Sequence, residues 1–208
     1  MIKAVIFDID GVLLDSFEAN LKFFQNLMTR FGYRPPTREE YLTLFHLSMW
    51  DVIKQLTGLS SEGDIRKIWE IGKSSEVEYP LALLEIPENT PSIIAALSKK
   101  YLLGIVTNRI KESVYEAPKL AKLQKYFRVV VSYDDTAKHK PHPEPLLLAA
   151  QKLGVKPEES VYIGDAENDI KAARAAGMKI IIYSKDRPKD ADASTSLFEN
   201  LPELIRAL

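Results

Sequence analysis

Cysteine is absent from the 208 residues, and histidine occurs only three times. The first absence excludes disulfides and thiolate chemistry. The second argues against a histidine-rich metal centre, so any bound metal should be held by oxygen. Charge of one sign is also missing, with 28 Lys and Arg against 29 Asp and Glu for a net charge of -1. The one-sided basic field that favours nucleic acid is therefore lacking, and an anionic ligand has to be attracted locally. No stretch approaches the roughly 18 uncharged apolar residues of a membrane span. The opening residues reach Asp8 and Asp10 before the apolar core of a signal peptide could form. The expectation is a cytoplasmic protein, with neither nucleic acid nor membrane as a partner.

Apolar residues make up 46% of the chain, enough to bury a sizeable core in one domain or in one domain plus an insertion. Residues 2 to 7 predict a strand buried on both faces, being short, β-branched and aromatic with little alternation. From Phe17 to Phe31 apolar residues recur at helical spacing, with Ser16 as N-cap and Gly32 as stop. After Pro35-Pro36 a cap at Thr37 and further helical patterning run to about residue 77, and no strand is predicted between 17 and 80. Past residue 90 the pattern changes. Apolar runs at 102–106, 129–131, 161–163 and 180–183 alternate with amphipathic segments at 91–100, 111–126, 143–153 and 169–176. Residues 191–196, small and polar, read as a loop before a final short helix at 197–207. The prediction is an α/β protein: a doubly wound, Rossmann-like parallel five-stranded sheet formed by residues 1–15 and 82–208, with residues 16–81 inserted as an α-helical cap.

Polar residues of particular types stand at the predicted strand ends. Asp8 and Asp10 are followed at once by Gly11, Thr107 precedes Asn108, Lys140 opens a proline-rich turn, and Gly164-Asp165 leads to Asp169. Thr107, Asn108 and Asp169 each also suit a helix cap or a turn, and Lys140, like its neighbour Lys138, also suits a solvated surface charge. Asp8 and Asp10 resist such a reading, because adjacent carboxylates repel unless a cation or a proton lies between them. In a doubly wound sheet these ends converge on one crevice.

The set resembles the motifs of the haloacid dehalogenase-like hydrolase superfamily, in its phosphatase branch. Asp8-Ile9-Asp10-Gly11-Val12-Leu13-Leu14-Asp15-Ser16 is similar to the first motif, Thr107-Asn108 to the second, Lys140 to the third and Gly164-Asp165 through Asp169 to the fourth. The helical insertion resembles that family's cap. The resemblance implies a Mg²⁺-dependent phosphatase acting on a small phosphorylated metabolite, most similar to phosphoglycolate phosphatase-like members. Asp8 is the implied nucleophile, forming an aspartyl-phosphate. Asp10 is the implied acid and base, Gly11 lets the chain turn beside the ligand, and Thr107, Asn108 and Lys140 hold the phosphoryl oxygens. The metal would be held by Asp8, the backbone carbonyl of Asp10, and Asp165, while Asp169 orients metal-bound water or touches the ion.

One departure is Ala166, where the fourth motif often carries a hydroxyl residue; this removes a minor hydrogen bond. His139 and His142 are read as shaping the turn beside Lys140, while His46 suits either a substrate contact or the surface. Phe23, Phe24, Phe31 and Trp50 are read as the insertion's own core. Two other activities fit the same motifs: a phosphoglucomutase-like transfer on a sugar phosphate, and a catalytically silent binding protein, against which the intact acids and lysine argue.

Overall fold

Among the described residues of the computed structural model, 1–74, 76–186 and 188–208, six segments pair into one sheet. They are β1 (Ala4–Phe7), β2 (Leu102–Val106), β3 (Phe127–Val131), β4 (Ser160–Gly164), β5 (Lys179–Tyr183) and β6 (Ala193–Thr195). The helices are α1 (Phe17–Arg30), α2 (Arg38–Leu42), α3 (Met49–Thr57), α4 (Glu62–Lys73), α5 (Thr90–Leu97), α6 (Pro118–Ala121), α7 (Glu144–Leu153), α8 (Glu167–Ala176) and α9 (Leu201–Ala207). None of them is long and apolar enough to cross a membrane. The chain divides into two compact units, Met1–Asp15 with Glu85–Leu208, and Ser16–Leu84.

The first unit holds the sheet, ordered β3-β2-β1-β4-β5-β6 with every pairing parallel. All of β1 and β4 is buried, which is why their sequences lack alternation. Ile6, Val106, Tyr162 and Ile180 share one face with Leu146, Ala149 and Ala150 of α7 and with Ala172 and Ala173 of α8. The alanines let those helices lie close to the strands. Phe7 points to the opposite face, as the two-residue period requires, with its ring 6.1 Å from Phe127 and 6.2 Å from Phe198. Each such buried side chain contributes roughly 1.5–3 kcal/mol. From β1 the order runs outward to β2 and β3 on one side and to β4, β5 and β6 on the other. The switch in strand order therefore falls at β1 and β4, and ligands of such sheets bind beyond the carboxyl ends there.

Two predicted features are corrected. The sheet has six strands, not five, because Ala193–Thr195 pairs with β5 instead of forming a loop. An edge strand only partly buried needs no apolar run; its ladder is made by the backbone. Residues 111–126 do not form one helix but two single 3₁₀ turns flanking the four-residue α6. Pro118 explains the break, since it donates no backbone hydrogen bond and favours the first position of a new helix.

Among its described residues the second unit contains four α-helices, around Leu27, Met28, Tyr41, Val52, Ile53, Ile65 and Ile68. Phe23 and Phe24 are buried in the same cluster, and Phe31 and Trp50 pack against it. Thr37 and Glu40 form a reciprocal capping box at α2, with Oγ1 accepting from the Glu40 amide at 3.2 Å and the Thr37 amide donating to Oε2 at 2.8 Å. Ser16 occupies the N-cap position of α1 without a side-chain cap bond; its Oγ accepts from Asn20 Nδ2 at 3.4 Å instead. His46 is exposed in the turn between α2 and α3.

Candidate active site

The site begins where β1 runs out of apolar residues. Asp8 continues the ladder for one step, its amide donating to the Ile163 carbonyl at 2.9 Å. The chain then turns within six residues, and the Ile9 carbonyl accepts from the amides of Val12, Leu13 and Leu14 at 3.1, 2.9 and 2.9 Å. Gly11 makes this turn possible. Its φ is +74°, and a Cβ there would lie 2.0 Å from Asp165 Oδ2, so the loop after β1 and the loop after β4 touch only because this residue has no side chain. The turn ends at Asp15, which pairs with Glu85 in an antiparallel bridge of 2.8 and 3.2 Å, tying together the two ends of the first unit's interrupted chain.

Lys140 is brought to the same place by the loop before α7, where the Lys140–Pro141 peptide bond is cis. It is buried, with 8% exposure, whereas Lys138 is exposed. Nζ donates to Asp8 Oδ2 at 2.5 Å, to Asp169 Oδ1 at 2.7 Å and to the Tyr162 hydroxyl at 2.8 Å, which uses all three of its donors. The Tyr162 hydroxyl in turn donates to the Val106 carbonyl at 3.1 Å. The other oxygen of Asp169 accepts from the amides of Asp165 and Ala166 at 3.0 and 3.1 Å. Asp169 thus supplies, from the third position of α8, half a capping box that Ala166 does not reciprocate. A Cβ on Gly164 would come within 2.4 Å of the Asp169 Cβ, so glycine is required for this contact too.

Asp8, Asp165 and Asp169 each present a carboxylate oxygen, and the three lie within 4.8 Å of one another. Against three carboxylates stands one ammonium, which leaves two negative charges in excess when all are ionised. Burial pushes the Asp8 carboxyl up to about 7, against the opposing pull of Lys140. Asp165 is raised well above the ordinary carboxylate range by burial and then by Asp169 and Asp8. Burial lowers Lys140, but the carboxylates of Asp169 and Asp8 outweigh it and hold the ammonium well above its ordinary value. A divalent cation with hard oxygen preference would cancel the excess, so the residues present fit Mg²⁺.

Asp10 faces another cation. Arg109 Nε lies 2.9 Å from Oδ2 and 3.1 Å from Oδ1, and Nη2 lies 2.8 Å from Oδ1, a two-pronged ion pair. The arginine is fixed by its own segment. Its amide donates to Thr107 Oγ1 at 3.1 Å, its carbonyl accepts from the Tyr133 amide at 2.8 Å, and Nη1 lies 3.4 Å from the Ser113 carbonyl. Thr107 is buried at the end of β2, with its amide on the Val131 carbonyl at 3.0 Å, and Asn108 follows it, half-buried. His139 stacks on Tyr133 at 3.7 Å, and His142 Nδ1 accepts from the Glu144 amide at 3.2 Å.

The structure thus brings Asp8, Lys140, Asp165 and Asp169 into one hydrogen-bonded cluster, with Gly11 at its edge. Asp10 and Thr107 are linked to each other through Arg109. Tyr162 and Arg109 were missed by reasoning from sequence. A tyrosine inside an otherwise aliphatic buried strand is a signal, because its hydroxyl has to find a partner. Arg109 carries none beyond its place directly after Thr107-Asn108.

Residues 5–183 match the family model described as haloacid dehalogenase-like hydrolase. The pyrophosphatase PpaX of Bacillus pumilus is 32% identical over 178 residues, covering 86% of this chain and 81% of that protein. Among solved structures, a HAD-superfamily hydrolase of subfamily IA, variant 1, from Geobacter sulfurreducens is 31% identical with a TM-score of 0.73, covering 98% of this chain and 96% of the other. CbbY from Rhodobacter sphaeroides, solved in complex with phosphate, shares the fold at a TM-score of 0.83 and 24% identity, with coverage of 97% and 96%.

Proposed function

The chain belongs to the haloacid dehalogenase-like hydrolase family, and on that footing we propose that it is a Mg²⁺-dependent phosphatase of a small phosphorylated metabolite, working through an aspartyl-phosphate on Asp8. The observation that carries the reading is the environment of Asp8, a buried carboxylate with one oxygen on the Lys140 ammonium at 2.5 Å and two further carboxylates beside it. Such a group suits nucleophilic attack on phosphorus, since it needs no separate base, provided the repulsion of an anionic substrate is cancelled. The names of the curated relatives, which are pyrophosphatases, support the same class of reaction.

Asp8, Asp165 and the backbone carbonyl of Asp10 would hold the ion, and Asp169 acts from beyond them by fixing Lys140 and the Asp165 amide. The chemistry the ion supplies is positive charge against the phosphoryl oxygens. Asp8 attacks phosphorus as the bond to the leaving oxygen breaks, and Asp10 gives that oxygen a proton. Asp10 then takes a proton from the water that attacks the aspartyl-phosphate, releasing inorganic phosphate and restoring Asp8. Thr107 and Asn108 hold the phosphoryl oxygens, while Lys140 spreads charge over them and over the nucleophile. Tyr162 keeps Lys140 in place. The Ser16–Leu84 unit is assigned the role of cap, selecting the substrate.

The test is release of inorganic phosphate, with Mg²⁺, from para-nitrophenyl phosphate and a panel of phosphorylated metabolites that includes pyrophosphate and phosphoglycolate. Turnover of at least one, abolished by Asp8→Asn, is expected. Absence of release from all of them would overturn the reading in favour of a silent binding protein. Isomerisation of a sugar phosphate without release would replace hydrolysis by transfer.

A further inference from the structure

On the phosphatase reading, we infer that Tyr162 is a positioning residue with a second task besides holding Lys140: its hydroxyl replaces a missing ladder bond at the end of β2 and so fixes Thr107 against the nucleophile.

β1 lies between β2 and β4 in the sheet. Its ladder with β2 opens with the Leu102 amide on the Lys3 carbonyl at 3.0 Å, and the register runs on to Phe7 opposite Ile105. In a parallel ladder of that register, the next amide of the β1 chain to donate to β2 is that of Ile9, and its acceptor is the Val106 carbonyl. The chain does something else. The Ile9 amide donates to Asp8 Oδ1 at 2.7 Å, which orients the nucleophile and takes that donor from β2. Val106 is buried, so its carbonyl needs another partner. The Tyr162 hydroxyl supplies it at 3.1 Å.

The tyrosine reaches this carbonyl from β4, across β1. Tyr162 stands level with Ile6, and Ile6 with Gly104, which puts its backbone two strand spacings, roughly 10 Å, from β2. Its side chain is wholly buried and shares a face with Ile6 and Val106. A phenol has one proton and two lone pairs. Lys140 Nζ, a donor at 2.8 Å, takes a lone pair, and the proton goes to the Val106 carbonyl at 3.1 Å, nearer than Asp169 Oδ1 at 3.5 Å.

That carbonyl and the Thr107 amide are the two poles of one planar peptide group. The amide donates to the Val131 carbonyl of β3 at 3.0 Å, so the group is held on both sides and Thr107 starts from a fixed plane. Loss of the hydroxyl would leave the carbonyl unpaired and let the plane tilt. Lys140 would keep its carboxylates, Asp8 and Asp169. The charge that attracts a phosphoryl group therefore stays, whereas the alignment of Thr107 with Asp8 is lost.

Two replacements of Tyr162 separate its tasks, with para-nitrophenyl phosphate and Mg²⁺ as the assay. Tyr162→Phe removes both hydrogen bonds. 4-Aminophenylalanine at the same position restores a donor to Val106 but offers Lys140 only a weak acceptor. Tyr162→Phe should lower kcat by between about fivefold and about a hundredfold, the range for a buried polar group left unpaired, with KM within about threefold of wild type. The 4-amino variant should recover most of that loss. Adding Thr107→Val to Tyr162→Phe should slow turnover little beyond the slower single variant, because both changes act on one alignment. A 4-amino variant as slow as Tyr162→Phe would assign the hydroxyl to Lys140 alone and overturn the inference, as would losses that simply add. If Tyr162→Phe does not fold, the 4-amino variant decides by itself: a kcat near wild type supports the inference, and a fall of about fivefold or more overturns it. All of these outcomes leave the phosphatase reading standing. Failure of the wild type to release phosphate from any compound would overturn both.

Discussion

Three carboxylates that share one ammonium in a buried cluster should make this protein's stability depend on a divalent cation in a pH-dependent way. Asp8, Asp165 and Asp169 place oxygens within 4.8 Å of one another with Lys140 as their shared cation. Without metal, burial raises Asp8 to about 7 and carries Asp165 well above its ordinary value. The sign follows from linkage. A carboxyl whose folded pKa lies above its unfolded one binds more protons in the folded state, so metal-free protein should lose stability as pH rises from about 4 through 7. Mg²⁺ should reverse this. At about a hundredfold excess over its dissociation constant near pH 8, it adds roughly 2.7 kcal/mol, which raises Tm by about 6 °C for a chain of this size. Near pH 5 the ion has to displace a proton. Two pH units below 7 lower the apparent affinity about a hundredfold for one proton, so the same Mg²⁺ concentration adds only about 0.4 kcal/mol, or about 1 °C. Differential scanning calorimetry of chelator-treated protein, with sodium chloride matching the ionic strength, measures both shifts. An equal shift at the two pH values, no shift near pH 8, or a full shift retained in Asp165→Asn would refute the charge argument.

Asp8→Asn should abolish phosphate release while leaving the far-ultraviolet circular dichroism unchanged, because the change is isosteric; wild-type turnover in this variant would contradict covalent catalysis. Tyr162→Phe removes a hydroxyl that accepts from Lys140 at 2.8 Å and donates to Val106 at 3.1 Å. About 1–3 kcal/mol of stability should be lost, readable as a shift in urea midpoint, together with a fall in kcat. Gly164→Ala forces a Cβ to within 2.4 Å of the Asp169 Cβ. Soluble, fully active alanine variant would mean that the Asp165–Asp169 turn is not as tightly constrained as argued. Asp192 ties β5 down by accepting from the Ile180 amide at 2.9 Å, with Lys179 and Arg174 at 3.2 and 2.9 Å. Burial tends to raise its pKa, but these partners outweigh it and lower the carboxyl below the ordinary value. Its stabilisation is therefore complete above the unfolded pKa of about 3.9 and disappears as pH falls through the lower, folded value. The difference in urea midpoint between wild type and Asp192→Asn should be constant at neutral pH and should shrink toward zero in acid.

The strands that carry the site were legible because a strand buried on both faces must be apolar throughout, and its end shows as the first charged residue. Asp8 after Phe7 and Asp165 after Gly164 stand out for that reason. What escaped was made by backbone or by long-range partnership. β6 is held by main-chain bonds and carries small polar residues, so it has no pattern to find. The spacing of 111–126 suits a helix, yet Pro118 restarts the chain there. Arg109 and Tyr162 find their partners 99 and 22 residues away, in Asp10 and Lys140, and neither distance leaves a local trace. The two omissions have a common cause. The acids announce themselves by interrupting apolar runs, whereas the groups that balance them lie at positions where an arginine or a tyrosine is unexceptional. The motif acids therefore stand out in the sequence, whereas the groups that balance their charge become visible only once the chain is folded.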